Sequence, residues 1–536
     1  MIKTVKDWFK EHPRVKIAMI TLLAVAAGFF ILSGMIDKKY YRLYLAIGIA
    51  LVYAFRPKSA IHHTTCEKKS LDKTVIAAII AAITIFTCVI PMDKLPLWNG
   101  EIPGHRNQYE LMAESILEGR IDFDYKEEDQ LASLKNPYDP EERKAAGVSY
   151  HWDHAYYEGN YYMYFGVVPV FLVFIPYNLL TGGLPLTTYN ATQIFVAFII
   201  AGIFMLFYLL ARLFFKKLPF SVYLALSVAF SVMSVWYSIA EPALYCTAIT
   251  SAIALMVWSM YFFVRAVWGE TRENKQILFA AIGALLGALA FGCRPPIALA
   301  NIVVIPMLVV FLKQRKFSFK LLGKLALAAL PYVVVGVLLM MYNYARFNDP
   351  FEFGQAYQLT VADQHLYKVK LNSETIIRVI NESGKYFFNV GTLNAQFPYI
   401  RTTSLFYNFP ILVMCLGICR GGAIKDMKKT KMFPLVITLL ISVFVITAMD
   451  IVWSPYLLER YRMDIYFLMG IACFTIIGFW YNSCSEEKRR VLASVAVVFA
   501  IFTVMSAYLL CVQTIGNYYP EKVTEYAIRL RLTRSL

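Results

Sequence analysis

Runs of apolar residues recur from one end of the chain to the other, separated mostly by short basic stretches. They fall at 17–36, 43–55, 74–92, 190–211, 218–237, 243–264, 277–293, 295–312, 321–342, 404–419, 432–449, 465–481 and 491–513. A helix needs roughly 20 such residues to cross a bilayer. The pattern predicts an all-α polytopic membrane protein with about 13 transmembrane helices, the run at 43–55 being the shortest. One more apolar stretch, 165–180 (FGVVPVFLVFIPYNLL), carries two prolines. Two polar segments, 93–164 and 342–404, are too long to be connectors, and the longer of them contains a helical pattern at 109–118. This divides the chain into N-terminal membrane helices (1–92), a first loop with interfacial or re-entrant helices (93–187) and a central bundle (188–342). A second loop (343–403), C-terminal membrane helices (404–513) and a tail (514–536) follow.

Composition narrows the class. Of 536 residues, 59% are hydrophobic and only 16% charged. An ordinary soluble domain is roughly a quarter charged, so a soluble enzyme, a disordered chain and a fibrous protein are excluded. The formal charge of +16 then reports loop orientation and anionic headgroups rather than nucleic acid. The nine cysteines are odd in number and lack CxxC spacing, which gives neither a disulfide framework nor a zinc site.

Charge also sets orientation. With a cytoplasmic N-terminus and 165–180 not crossing, the inside segments hold 29 Lys and Arg and the short outside loops six. If 165–180 crossed, 19 of the 29 would change side. The positive-inside rule therefore predicts that 165–180 lies at the outer interface or re-enters, and that both long loops are extracytoplasmic. Arg529, Arg531 and Arg534 in the outside tail run against the rule. The run 17–36 is too long for a signal-peptide core and is expected to remain as an anchor.

Long loops usually carry function. In the first, SYHWDHAYYEGNYYMYFG is dense in Tyr and Trp. Such a cluster suits a headgroup-level belt or a sugar-binding surface. Asp153, His151 and His154 embedded in it point to a site, since each costs solvation without a partner. Glu101, Asp139 and Asp153 stand out among the loop carboxylates because Gly, Pro and aromatic neighbours fix their backbone. In the second loop, Arg346, Asp349 and Glu352 form either a salt-bridged collar or part of a site. Arg294, Arg460 and Arg462 are basic residues on the outer side, the last two next to Asp450, Glu459 and Asp464. An arginine there either snorkels or pairs with a carboxylate, or it grips phosphate. His105 and Arg106, before the amphipathic helix, are exposed loop residues or further phosphate contacts.

QYELMAESILEG (108–119), YYEGNYYMYFGVVPVFLVFIPYNLLTG (156–182), YNYARFNDPFEFGQAYQLT (342–360) and ERYRMDIYFLMG (459–470), with this layout, resemble the GT-C superfamily of integral-membrane glycosyltransferases. That superfamily uses polyprenyl-phosphate sugars and includes protein O-mannosyltransferases and aminoarabinose transferases of lipid A. The motifs look close to a group of predicted bacterial membrane glycosyltransferases. The resemblance implies a polyprenyl-phosphate sugar donor, an extracytoplasmic acceptor and a cell-membrane location. In the family an acidic pair stands three and four residues before the Tyr of the surface helix. Those positions here are His105 and Arg106, so Glu101, Asp153 or Asp139 must supply the carboxylate, or the activity is changed or lost.

The expected chemistry is transfer of a sugar to an acceptor hydroxyl in a cell-envelope glycan, lipid or protein. Asp153 or Glu101 would act as general base, with Asp139 behind them. Arg294, Arg460, Arg106 and His105 would bind the donor phosphate. Trp152, Tyr156, Tyr157, Tyr161, Arg346 and Glu352 would line the sugar and acceptor pocket. No dedicated metal-ligand cluster is visible, although a divalent ion is compatible with the chemistry. Two rival readings remain: a transporter or flippase of a lipid-linked glycan, and a non-catalytic scaffold in envelope assembly. The first predicts ionisable residues deep in the spans and paired repeats, neither of which the sequence displays.

Overall fold

Helix ends in this chain are written locally. Asn107 caps the helix Gln108–Leu117 by accepting from the Glu110 amide at 3.1 Å, and Thr187 and Ser318 cap two membrane helices in the same way. The computed structural model describes residues 63–68, 71–89, 106–125, 130–315, 318–365, 372–389, 404–454 and 458–518. The expected spans at 17–36 and 43–55, together with Glu101 and His105, lie outside the described residues.

In chain order the helices are α1 (Asp72–Thr84, continued by a π-helical turn Ile85–Val89), α2 (Gln108–Leu117), α3 (Pro140–Ala146) and α4 (Ile175–Thr181). The central bundle is α5 (Thr188–Phe214), α6 (Phe220–Ala240), α7 (Leu244–Val264), α8 (Glu273–Phe291), α9 (Pro295–Lys313, with a 3-10 interruption) and α10 (Phe319–Phe347). Then come α11 (Ser373–Phe388), α12 (Gly421–Lys429), α13 (Phe433–Trp453), α14 (Met463–Ser483) and α15 (Glu486–Tyr518). Among the described residues nine helices are long and apolar enough to cross a membrane, and each coincides with an expected span. The chain is a multi-pass membrane protein.

Two of the apolar stretches fall short of a full span. Val170–Thr181 is twelve residues, π-helical before it becomes α4; at about 1.5 Å per residue it is shorter than the hydrocarbon core. The expected span 404–419 forms a single helical turn, Leu405–Asn408, and then a 3-10 helix, Pro410–Cys419. Ser404 caps the turn and Pro410 cannot continue it, so the segment tightens instead of extending as one α-helix. The described residues therefore do not confirm the count of 13 spans.

The helical expectation also missed one element. Strands β1 (Ala155–Tyr157) and β2 (Asn160–Tyr162) form an antiparallel hairpin with Tyr156 opposite Tyr161. Its two turn residues, Glu158 and Gly159, have φ of 48° and 83°, the mirror-image turn that suits strand twist.

The core is one continuous apolar mass inside the bundle, in which α14 is almost wholly enclosed. Spans that run alternately up and down bring the junctions α6/α7, α8/α9 and α13/α14, and the C-terminus of α10, to one end. The two long loops knit together there. Asp153 N donates to Leu359 O (3.0 Å), Leu359 N to His154 O (2.9 Å) and Tyr156 N to Tyr357 O (2.9 Å). Arg143, 1% exposed, reaches across with donors to Pro137 O and Thr360 O at 2.7 and 2.6 Å.

Candidate functional site

Asp153 sits where the two loops meet the bundle. Its φ of 57° is a conformation that Asp tolerates better than most side chains, and it turns the carboxylate inward. The residue is 5% exposed. The Tyr245 hydroxyl, from the first turn of α7, donates to Oδ2, and Gln358 Nε2 from the second loop donates to Oδ1 at 2.9 Å. Gln108 on α2 holds the backbone by donating to the Asp153 carbonyl at 3.0 Å. Burial raises the Asp153 pKa above the ordinary carboxylate range, and the Tyr245 bond, the Arg460 charge and the Gln358 bond pull it partly back.

The cation is supplied by the turn before α14. A 3-10 turn, Glu459–Arg462, projects the Arg460 guanidinium over the Tyr245 ring, 3.9 Å from its centre. One tyrosine thus touches both the buried carboxylate and the cation. Glu241, at the end of α6, lies within the field of Arg460; burial raises its pKa too, and it accepts from Tyr237 at 2.5 Å.

Arg294 precedes α9 at the same end. Its Nε and Nη2 bind the fully buried Asp464 at 2.8 and 2.7 Å, and its Cζ lies over the Tyr461 ring, 5.1 Å from the ring centre. Tyr164, in the same region, lies within the fields of Arg294, Asp153 and Arg460. Gly166 permits this packing. A Cβ there would strike the carbonyl oxygens of Gly292 and Cys293, and Val168 N donates to Gly292 O at 3.0 Å.

A neutral histidine supports the loop. His154 is buried and its pKa falls to about 4, chiefly from burial. Its Nδ1 lies 2.8 Å from the Trp152 carbonyl and its Nε2 2.7 Å from the Tyr125 hydroxyl. A neutral ring satisfies both by donating from Nδ1 and accepting at Nε2.

Other expected site residues are engaged elsewhere. Arg106 is paired with Glu110 (3.1 Å) and Glu114 on α2. Asp139 caps α3, accepting from the Glu141 amide at 2.9 Å. Arg346 is 4% exposed and donates to Met163 O and Asn343 Oδ1, both at 2.8 Å, while covering the Tyr342 ring; it ties α10 to the segment entering α4. The Glu352 carboxylate closes its own turn by accepting from Gly354 N at 2.6 Å. Tyr156 is buried against Leu131 and Leu359, with Tyr161 beside it, and Tyr157 packs on Tyr357. Trp152, 46% exposed, is the most open of the four expected aromatic residues. Among the described residues no group of three His, Cys, Asp or Glu side chains is arranged to hold a metal.

Sequence reasoning missed Tyr245, Gln358 and Glu241. Tyr245 and Glu241 border apolar runs and read as span ends, although a carboxylate at such an end is itself a signal.

No family model matches the chain, and no curated protein matches it. Among solved structures it is similar to ArnT from Cupriavidus metallidurans bound to undecaprenyl phosphate, at 13% identity and a TM-score of 0.43, over 83% of this chain and 78% of that one. It is also similar to the archaeal oligosaccharyltransferase AglB from Archaeoglobus fulgidus, in complex with an inhibitory peptide and a dolichol-phosphate, and to the Archaeoglobus fulgidus oligosaccharyltransferase in the apo form. Each of these two matches at 12% identity and a TM-score of 0.40, over 87% of this chain and 60% of that one.

Proposed function

We propose that this protein is a membrane glycosyltransferase that moves a sugar from a polyprenyl-phosphate donor to a hydroxyl of an extracytoplasmic acceptor in the cell envelope. The observation that carries the reading is the buried Asp153 carboxylate and the Arg460 guanidinium meeting at Tyr245, at the membrane end of two interlocked loops.

In this reading Asp153 takes the proton of the acceptor hydroxyl as its oxygen attacks the anomeric carbon. The bond from that carbon to the phosphate oxygen breaks, and its electron pair leaves with the polyprenyl phosphate. Arg460 meets the developing charge in a site of low dielectric, where fixed donors are most effective. Arg294 contributes field more than hydrogen bonds, because two of its nitrogens are committed to Asp464. Trp152 offers the sugar an open aromatic surface. Arg106, Arg346, Glu352 and Asp139 hold the scaffold instead.

The transporter reading requires titratable groups deep in the spans. Glu241, Asp450 and Asp464 instead lie at helix ends, on the same side as Asp153.

The test is purified protein in lipid nanodiscs with a polyprenyl-phosphate sugar, reading release of free polyprenyl phosphate. Asp153→Asn should lower turnover by roughly 10²–10⁴-fold while undecaprenyl phosphate still binds. Full turnover in that variant, or none in the wild type across candidate donors, would remove the proposal.

A further inference from the structure

The end of the bundle away from Asp153 carries a charged helix that the site does not use. α12 is nine residues long and joins the apolar 3-10 segment Pro410–Cys419 to the membrane helix α13. Its Ala423 and Met427 are buried. A Cβ on Gly422 would meet the Ser483 side chain at 2.9 Å, so α12 is pressed against the end of α14. Lys425, Lys428 and Lys429 are exposed. Residues three and four apart share one side of a helix, so these three amines stand together, opposite Ala423 and Met427. Arg420 and Lys431, also exposed, flank them, and Asp426 is the single acid between 420 and 431.

Aromatic rings mark the depth of this helix. Trp268 Nε1 donates to Thr430 O at 3.2 Å, Arg420 Cζ lies 5.3 Å from the centre of the Trp480 ring, and Lys428 Nζ lies 5.4 Å from that of Phe433. Tryptophan is enriched at headgroup level, and a long basic side chain lays its stem along apolar surface while its charge reaches the headgroups. Other basic residues at this end have partners. Lys324 pairs with Glu273, Arg490 with Glu486 at 2.7 Å, and Arg489 donates to the carbonyls of Tyr481 and Asn482 at 3.0 and 2.7 Å. Among the described residues Arg420, Lys425, Lys428, Lys429 and Lys431 form no ion pair. Like charges four residues apart on a helix repel, so the cluster is unfavourable until an anion sits among the amines.

We propose that the exposed face of α12 binds the headgroups of anionic phospholipids in the leaflet opposite Asp153. A phosphodiester headgroup carries a full negative charge and accepts from ammonium groups, and its acyl chains stay in the bilayer that α13 and α14 cross. A zwitterionic headgroup brings its own cation to the amines and cancels the gain. Each Lys near an anionic surface is worth about fivefold in affinity. Lipid binding at this face is independent of sugar transfer at Asp153.

The probe is phosphatidylglycerol, titrated against the full-length protein in neutral-detergent micelles and read by native mass spectrometry, with phosphatidylcholine of the same acyl chains as the zwitterionic reference. Phosphatidylglycerol should bind about a hundredfold more tightly, the product of three lysines, and its advantage should shrink as ammonium acetate is raised. Lys425→Gln, Lys428→Gln and Lys429→Gln should each cost about fivefold, and the three combined should bring phosphatidylglycerol to the affinity of phosphatidylcholine. The replaced side chains are exposed, so the fold should survive, as a melting curve would verify; should the triple variant melt early, the single ones carry the comparison. Lys425→Arg, Lys428→Arg and Lys429→Arg combined keep the charge and should keep the preference. Lys385→Gln, exposed on α11 at the other end of the bundle, should leave it unchanged. Equal affinities for the two lipids in the wild type, an undiminished preference in the folded Gln variants, or an equal loss in Lys385→Gln would overturn this surface.

Discussion

Asp153 is held by three different parts of the chain: its own loop, Tyr245 on α7 and Gln358 in the second loop. Replacing it with Asn keeps the shape and removes the base, so turnover should fall by roughly 10²–10⁴-fold. Its pH dependence follows from the same contacts. Only the ionised form accepts a proton, so rate rises with pH through its pKa, and burial places that limb above the ordinary carboxylate range. Arg460 and Tyr245 both favour the ionised form. Arg460→Gln and Tyr245→Phe should therefore each move the acidic limb to higher pH, measured as turnover against pH at saturating donor. A limb that stays put in both variants would show that Asp153 is not the titrating base. Asp153 was legible in the sequence because a carboxylate amid Tyr and Trp is costly. Its partners were not, since a Tyr at the start of an apolar run and a Gln in a loop carry no such signal until the loops are folded together.

At the level of elements, periodicity located the membrane helices well, because a span is defined by length and apolarity alone. It failed where backbone chemistry decides. The 404–419 run is apolar enough, yet Pro410 and the Ser404 cap turn it into a short helix and a 3-10 segment. The hairpin was legible in principle: YYEGNYY sets aromatic pairs around a two-residue turn containing Gly. That turn yields a prediction. Glu158 occupies a left-handed position at a steric cost which Asn bears more easily. Glu158→Asn should stabilise the hairpin by a few tenths of a kcal/mol to about 1 kcal/mol, and Gly159→Val should destabilise it; hydrogen exchange at the Tyr157 amide, which faces Asn160 across the hairpin, would read both. The approach to α4 carries a second prediction. Gly166→Ala drives a Cβ into the backbone oxygens of Gly292 and Cys293, beside Arg294. Turnover should drop at least tenfold, since a misplacement of about 1 Å is costly to catalysis, while the protein still inserts into the membrane.

For the whole molecule, the site exists only because the two loops fold as one body on one end of the bundle. That end is fixed by the alternation of spans and by Arg294 bridging to Asp464 across the α8/α9 and α13/α14 junctions. Residue 158, exposed at the hairpin tip, belongs to it. Residue 428, exposed on α12, belongs to the opposite end, because α12 leads into the start of α13 and Asp450 lies near the other end of that helix. The two positions must therefore lie on opposite faces of the membrane. The positive-inside rule gives the expectation: α12 and its flanks are rich in lysine, and such segments are expected on the cytoplasmic side. In a background lacking the native cysteines, Glu158→Cys should react with a membrane-impermeant maleimide in intact cells, and Lys428→Cys only after the cells are permeabilised. The reverse pattern would put Asp153 in the cytosol, where an extracytoplasmic acceptor never meets it, and the transferase reading would lose its acceptor.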